Sequence, residues 1–101
     1  MPDQIAIEMS GAVLIARIGN PPSGYMDGDT EVELSALLDR IESDDAVRAV
    51  VLTGSLPDVF IRHYDVRVLE EKSRAMAARG MTFSLDRLVP ETPYLACLRR
   101  I

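Results

Sequence analysis

Eight residues, Val47-Arg48-Ala49-Val50-Val51-Leu52-Thr53-Gly54, constrain the fold more than any other stretch. They form an almost unbroken run of apolar and β-branched residues without polar alternation. Such a run predicts a strand buried on both faces, the kind that parallel sheets contain. A strand of that kind needs helices packed against it, and both flanks carry helical patterns. Upstream, Leu34, Leu37, Leu38 and Ile41 recur at helical spacing on one face. Thr30 and Glu33 read as a capping box, Asp27 and Asp29 precede it, Glu31 falls in the first turn, and Ser43-Asp44-Asp45 ends the helix. Downstream, a second helix is predicted from about Asp65 to Arg79. Val66, Leu69 and Met76 give its apolar side, Glu70, Glu71, Lys72 and Arg74 a solvated side, and Gly80 its stop signal. The fold class is therefore α/β, built on βαβ units with parallel strands and right-handed connections.

The remaining segments fit around this centre. Ile5 and Ile7 alternate with Ala6 and Glu8, Ser10-Gly11 supplies a turn, and Ala12 to Ile18 follows, which predicts an N-terminal β-hairpin. Gly19-Asn20-Pro21-Pro22-Ser23-Gly24 must be a loop, because two prolines remove two backbone donors. Its length suits a ligand-contacting loop as well as a plain connection. Met81 to Val89 suggests a further helical piece stopped by Pro90. Tyr94-Leu95-Ala96-Cys97-Leu98, after Pro93, reads as a final buried strand, with Cys97 as a packing residue. That strand would run straight into Arg99-Arg100-Ile101 with little to cover the sheet, so the chain is expected to continue past Ile101 in its parent.

Charge and composition narrow the function. Eleven basic against sixteen acidic residues give a net charge of −5, with no basic cluster, so nucleic acid is not an expected partner. No apolar stretch approaches the roughly 20 residues that cross a bilayer, and Met1-Pro2-Asp3-Gln4 lacks a signal-peptide start. A cytoplasmic protein without membrane partners is the expectation. A single cysteine forms no internal disulfide, and no residue pattern predicts a metal site.

Taken in order, these features resemble the enoyl-CoA hydratase/isomerase (crotonase) superfamily. The hairpin, the Asn20-Pro21-Pro22 loop, the amphipathic helix, the run from Asp44 to Gly54, then Phe60 and an Asp65-started helix carry the resemblance, which spans Ile5 to Ile101. Its most specific piece is Asp44-Asp45-Ala46-Val47-Arg48-Ala49-Val50-Val51-Leu52-Thr53-Gly54. Thr92-Pro93-Tyr94-Leu95-Ala96-Cys97 looks like a later family strand. The resemblance implies the N-terminal part of one incomplete crotonase-like (ClpP/crotonase) domain over residues 1–101. The parent would bind an acyl-CoA, with coenzyme A as part of the substrate and not as a separate cofactor, and would assemble as a homotrimer or hexamer.

The chemistry so implied is stabilisation of a thioester enolate, of hydratase or isomerase type. Negative charge develops on the thioester oxygen, and rigid backbone N–H groups are suited to hold it. Phe60-Ile61-Arg62-His63-Tyr64-Asp65 matches the family loop that carries the first donor. By position that donor is the N–H of Arg62, and Asp65 is the acid that opens the next helix. His63 and Tyr64 stand where the family has a glycine and a small residue, which narrows or retunes the pocket. Pro22, Ser23, Gly24 and Tyr25 match the loop that touches the pantetheine and adenine parts, with Gly24 where an Asn is common. Arg62 and Arg67 could steer phosphates or be simply solvated. His63 could act as a base or be merely exposed. The second donor and the acidic acid/base residues are expected beyond Ile101, so this stretch alone should be inactive. Two other readings stand beside this one. A regulatory module of the anti-sigma-factor-antagonist type would place a modifiable Ser after the central strand, but Ser55 lies in a Leu-Pro-Asp loop. A catalytically inactive crotonase relative would account for His63 and Tyr64.

Overall fold

A computed structural model describes residues 4–82, 84–87 and 91–101. In chain order the elements are β1 (Ile5–Ser10), β2 (Val13–Ile18), α1 (Gly28–Ser43), β3 (Ala49–Gly54), α2 (Val66–Ala78) and α3 (Pro93–Arg100). The three strands form one sheet in the order β1-β2-β3. β1 and β2 are the expected hairpin, paired antiparallel from Ile5↔Ile18 to Ser10↔Val13, with Gly11 in the turn. β3 pairs parallel to β2, from Val13↔Ala49 to Ile18↔Gly54, with α1 as the crossover. The β2-α1-β3 unit is the expected βαβ arrangement.

Period-2 alternation along β2 turns Leu14, Ala16 and Ile18 inward, where Leu34, Leu37 and Leu38 of α1 meet them. Ile5, Met26 and Cys97 complete this core. The capping of α1 differs in detail from the sequence expectation. Asp27 is the N-cap, and its Oδ1 accepts from both the N–H and the hydroxyl of Thr30, at 2.9 and 2.8 Å. Glu33 does not close a capping box. Its carboxylate accepts from the N–H groups of Gln4 and Ile5, tying the start of β1 to the helix. A carboxylate takes the cap in preference to a hydroxyl because it accepts two bonds at once and favours the helix dipole.

Three expectations need correction. β3 is not buried on both faces: Val50 and Val51 are 38% and 46% exposed. It is the edge strand and pairs only with β2, so its outer face has no covering helix among the described residues. The segment 94–98 is not a strand but the core of α3. Thr92 accepts from the N–H of Leu95 at 3.2 Å, Pro93 occupies the first turn where a missing N–H costs nothing, and Arg99 and Arg100 favour the C-terminal end of the dipole. Tyr94 and Cys97, three apart, face α1, while Leu95 and Leu98 are exposed. Arg100 then bridges to Asp39 and Glu42 of α1 at 2.7 and 3.0 Å. The expected helical piece at 81–89 is absent at its described positions, where Leu85-Asp86 is a turn; Phe83, Leu88 and Val89 lie outside the described residues.

The second helix forms as expected. Asp65 caps it through the N–H of Arg67. Gly80 at φ +77° ends it in a Schellman motif, with Gly80 N–H to Ala77 O and Met81 N–H to Met76 O. None of its residues is buried, however, and Val66 and Leu69 are exposed. The radius of gyration, 16.1 Å, exceeds the roughly 13 Å of a compact chain this long because α2 extends away from the sheet.

Cys97 is 2% exposed, and burial pushes its thiol above the usual cysteine range. The thiolate is the reactive form, so the native thiol should react slowly. Alkylation by iodoacetamide at pH 8 is expected to be at least tenfold slower in native protein than in urea, as followed by mass spectrometry. Equal rates would contradict the packing of α3 on α1.

Candidate functional site

Two loops meet beyond the C-terminal ends of β2 and β3, the end of a parallel pair where α/β folds place ligands. The first, residues 19–27, leaves β2 and enters α1. Asn20 organises it: its side-chain N–H group donates to the carbonyl of Tyr25 at 2.6 Å and to Asp27 Oδ2 at 2.9 Å, and its carbonyl accepts from the N–H of Gly24. Asp27 therefore holds the loop with one oxygen and caps the helix with the other. Asn20 takes φ +47°, which Asn tolerates better than most residues. The second loop, residues 55–65, leaves β3. Gly54 lets it fold back closely: a Cβ there would fall inside the carbonyl oxygen of Val59 and lie 2.9 Å from Phe60 Cα.

The two loops are stitched together by backbone bonds. Arg62 N–H donates to Gly24 O at 2.9 Å, Met26 N–H to His63 O at 3.2 Å, and Asp65 N–H to Met26 O at 2.8 Å. The last two form a parallel bridge between Met26 and Tyr64. In a regular parallel ladder continued from that bridge, Gly24 O would accept from His63. It accepts from Arg62 instead, so the 62–65 side holds one extra residue, as in a β-bulge. Gly24, at φ +74°, turns its carbonyl to suit.

The bulge decides which backbone amides of this loop are engaged. The N–H of Arg62 is engaged by Gly24 and is not open to a substrate oxygen. Among the described residues, the N–H groups of His63 and Tyr64, between the two bonded amides, have no acceptor, and that of His63 is the one nearer Arg62 in the chain. A backbone donor is thus available in this loop, one residue later than the sequence places it.

The side chains of the expected site residues divide into an outer and an inner group. Outside, the Tyr25 ring lies 4.8 Å from the His63 ring, and the Arg62 guanidinium is 5.8 Å from the Tyr25 centroid. His63 Nδ1 is 2.8 Å from Tyr64 O, so this nitrogen carries the proton and donates. Inside, Tyr64 packs against the core, 6.1 Å from the Tyr94 ring. Lys72 Nζ donates to its hydroxyl at 3.3 Å. Burial raises the Tyr64 phenol above its usual range, opposed by Lys72 and reinforced by the nearby Glu31 carboxylate, so it stays protonated at neutral pH. Asp65 sits below the usual carboxylate range, chiefly because the Arg67 side chain hydrogen-bonds to it. That pairing leaves Arg67 occupied, whereas Arg62 has no acidic partner among the described residues. Ser23 Oγ accepts from the N–H of Tyr25 at 3.3 Å and is a turn residue, as is Pro22.

The organising residues Asn20 and Asp27 escaped the sequence reading as site residues. The signal available was Asn before a proline pair, with an acid at the start of the helix. No group of three His, Cys, Asp or Glu side chains that could hold a metal occurs among the described residues, and none of the described helices is long and apolar enough to cross a membrane.

No protein-family model and no curated protein matches the chain. Solved structures do match. An enoyl-CoA hydratase/isomerase from Mycobacterium paratuberculosis is 30% identical, with a TM-score of 0.64 over 79% of this chain and 32% of its own. DspI from Pseudomonas aeruginosa is 27% identical, with a TM-score of 0.64 over 77% of this chain and 34% of its own. Enoyl-CoA hydratase EchA1 from Mycobacterium marinum, at 20% identity and a TM-score of 0.62, covers 67% of this chain and 27% of its own, and speaks to the fold alone. The chain spans about a third of the length of the first two structures. Its sheet, its crossover helix and the likeness to these proteins converge: the chain belongs to the enoyl-CoA hydratase/isomerase (crotonase) superfamily and holds part of its fold.

Proposed function

We propose that the chain supplies one half of an acyl-CoA thioester site, in which the N–H of His63 holds the oxyanion that develops on the thioester carbonyl. The observation that carries this reading is the bulge opposite Gly24, which leaves that amide without a protein acceptor at the mouth of two loops. A backbone donor fixed on both sides by ladder bonds costs no reorganisation when charge appears. One such donor contributes about 3–4 kcal/mol to charge stabilisation in sites of this kind. Lining the same mouth, Tyr25 is placed to contact the pantetheine arm, and Tyr64 to limit the room for the acyl group. The parent's reaction is of hydratase or isomerase type. Proton transfer is not assigned to Asp27 or Asp65, whose carboxylates are committed: Asp27 caps α1 and Asp65 caps α2.

Acetoacetyl-CoA tests the reading directly. Loss of its α-proton gives an enolate whose charge rests partly on the thioester oxygen, and the enolate absorbs in the near ultraviolet. Titration of the protein into acetoacetyl-CoA at pH 7 is expected to raise that band in proportion to bound ligand. Binding without the band would remove oxyanion stabilisation from this loop, and no binding would remove the thioester site altogether.

A further inference from the structure

We infer that the acyl group received at this site ends in a carboxylate, so that the substrate is a short dicarboxylic acyl-CoA. The inference rests on the thioester reading above and adds the chemical class of the acyl chain. Its basis is the outer side-chain group on the two loops. The chain is acidic overall, at −5, yet Arg62 stands at this mouth with no acidic partner among the described residues. Two acids of the loop pair are already occupied: Asp65 accepts three hydrogen bonds from Arg67, and Asp27 is held by Thr30 and Asn20. The guanidinium is instead laid over the Tyr25 ring at 5.8 Å, a contact that orients it and leaves its N–H fork open. His63 lies against the same ring at 4.8 Å and donates Nδ1–H to the Tyr64 carbonyl, which fixes the imidazole beside it.

An oriented Arg fork is the recognition chemistry of a carboxylate. Arg62 directly precedes the residue of the proposed donor amide. The anion it meets therefore lies within side-chain reach of the thioester carbonyl. That position fits the far end of a short acyl chain. A phosphate of the coenzyme sits at the other end of the pantetheine arm, too far to serve.

The test compares succinyl-CoA, butyryl-CoA and free CoA by titration calorimetry against the wild-type chain and Arg62→Gln. The residue is exposed, so the variant should fold, as its circular dichroism would verify. Succinyl-CoA is expected to bind at least tenfold more tightly than butyryl-CoA. Arg62→Gln should abolish that preference while leaving butyryl-CoA and free CoA within twofold. Independently of any variant, the wild-type preference should shrink between 50 and 500 mM NaCl, as an ion-paired contact must. Equal binding of the two thioesters would overturn the carboxylate inference and spare the thioester site. A loss of free CoA binding in Arg62→Gln would overturn it in favour of a phosphate contact. Failure of all three ligands to bind would overturn both readings.

Discussion

Replacing Gly54 by Ala is expected to cost about 2–3 kcal/mol, the scale of overpacking in a closed site. For a chain of this size that corresponds to a fall in melting temperature of roughly 10–20 °C. The cause is backbone, not side chain. The new methyl group would stand 2.8 Å from the carbonyl carbon of Val59 and 2.9 Å from Phe60 Cα, and neither can rotate away. Relief requires the 55–60 segment to move off β3, and that segment sets the position of Arg62 and His63. The variant should therefore lose ligand binding even at temperatures where it remains folded. Gly28→Ala is the control: nothing lies within 4 Å of its Cβ position, and it begins a helix, so its melting temperature should hold or rise. An unchanged melting temperature in Gly54→Ala would mean that the loop does not approach the strand as described.

The second large effect is expected from His63→Pro. Proline removes the amide of His63 and leaves the ladder bonds of Arg62, Met26 and Asp65 with their partners. The enolate-to-keto ratio of bound acetoacetyl-CoA should fall by about a hundredfold or more, the typical effect of deleting one oxyanion donor. Affinity for free CoA should change little, because the donor acts on charge that CoA alone lacks. His63→Ala separates the amide from the imidazole: it keeps the N–H and should keep the enolate band. A band lost equally in both variants would assign the effect to the side chain. Arg62→Pro should act differently, breaking the bond to Gly24 and lowering stability as well as binding.

Much of the fold was legible because it rests on local patterns. The alternation in β2, the 3.6-residue stripe of Leu34, Leu37 and Leu38, and the Gly80 stop each have a one-to-one structural consequence. What was not legible depended on competition between partners. Thr92-Pro93 is a helix start, but five apolar residues follow it, and a run that short suits either a strand or a helix. Its cap and the arginines at its end decide for the helix once Tyr94 and Cys97 have α1 to pack against. Burial of β3 could not be read from Val50 and Val51, since hydrophobicity states what a residue favours and not whether a neighbour is present. In the loop pair, the sequence reading expects an open amide at Arg62, whereas that amide is bonded to Gly24 and the amide of His63 is open. Spacing counts residues and is blind to a bulge. The extra residue became visible only when the carbonyl of Gly24 was seen to take Arg62 and skip His63.

The central claim is that the loop offers the amide of His63, and not that of Arg62, to a thioester oxygen. Amide hydrogen exchange read by NMR on the 15N-labelled chain, with and without butyryl-CoA, tests it residue by residue. Arg62 should be protected in both states, as its bond to Gly24 requires. His63 should exchange freely without ligand, then slow at least tenfold and shift downfield when the thioester is added. Protection of His63 in the free protein, or a response at Arg62 with none at His63, would contradict the account.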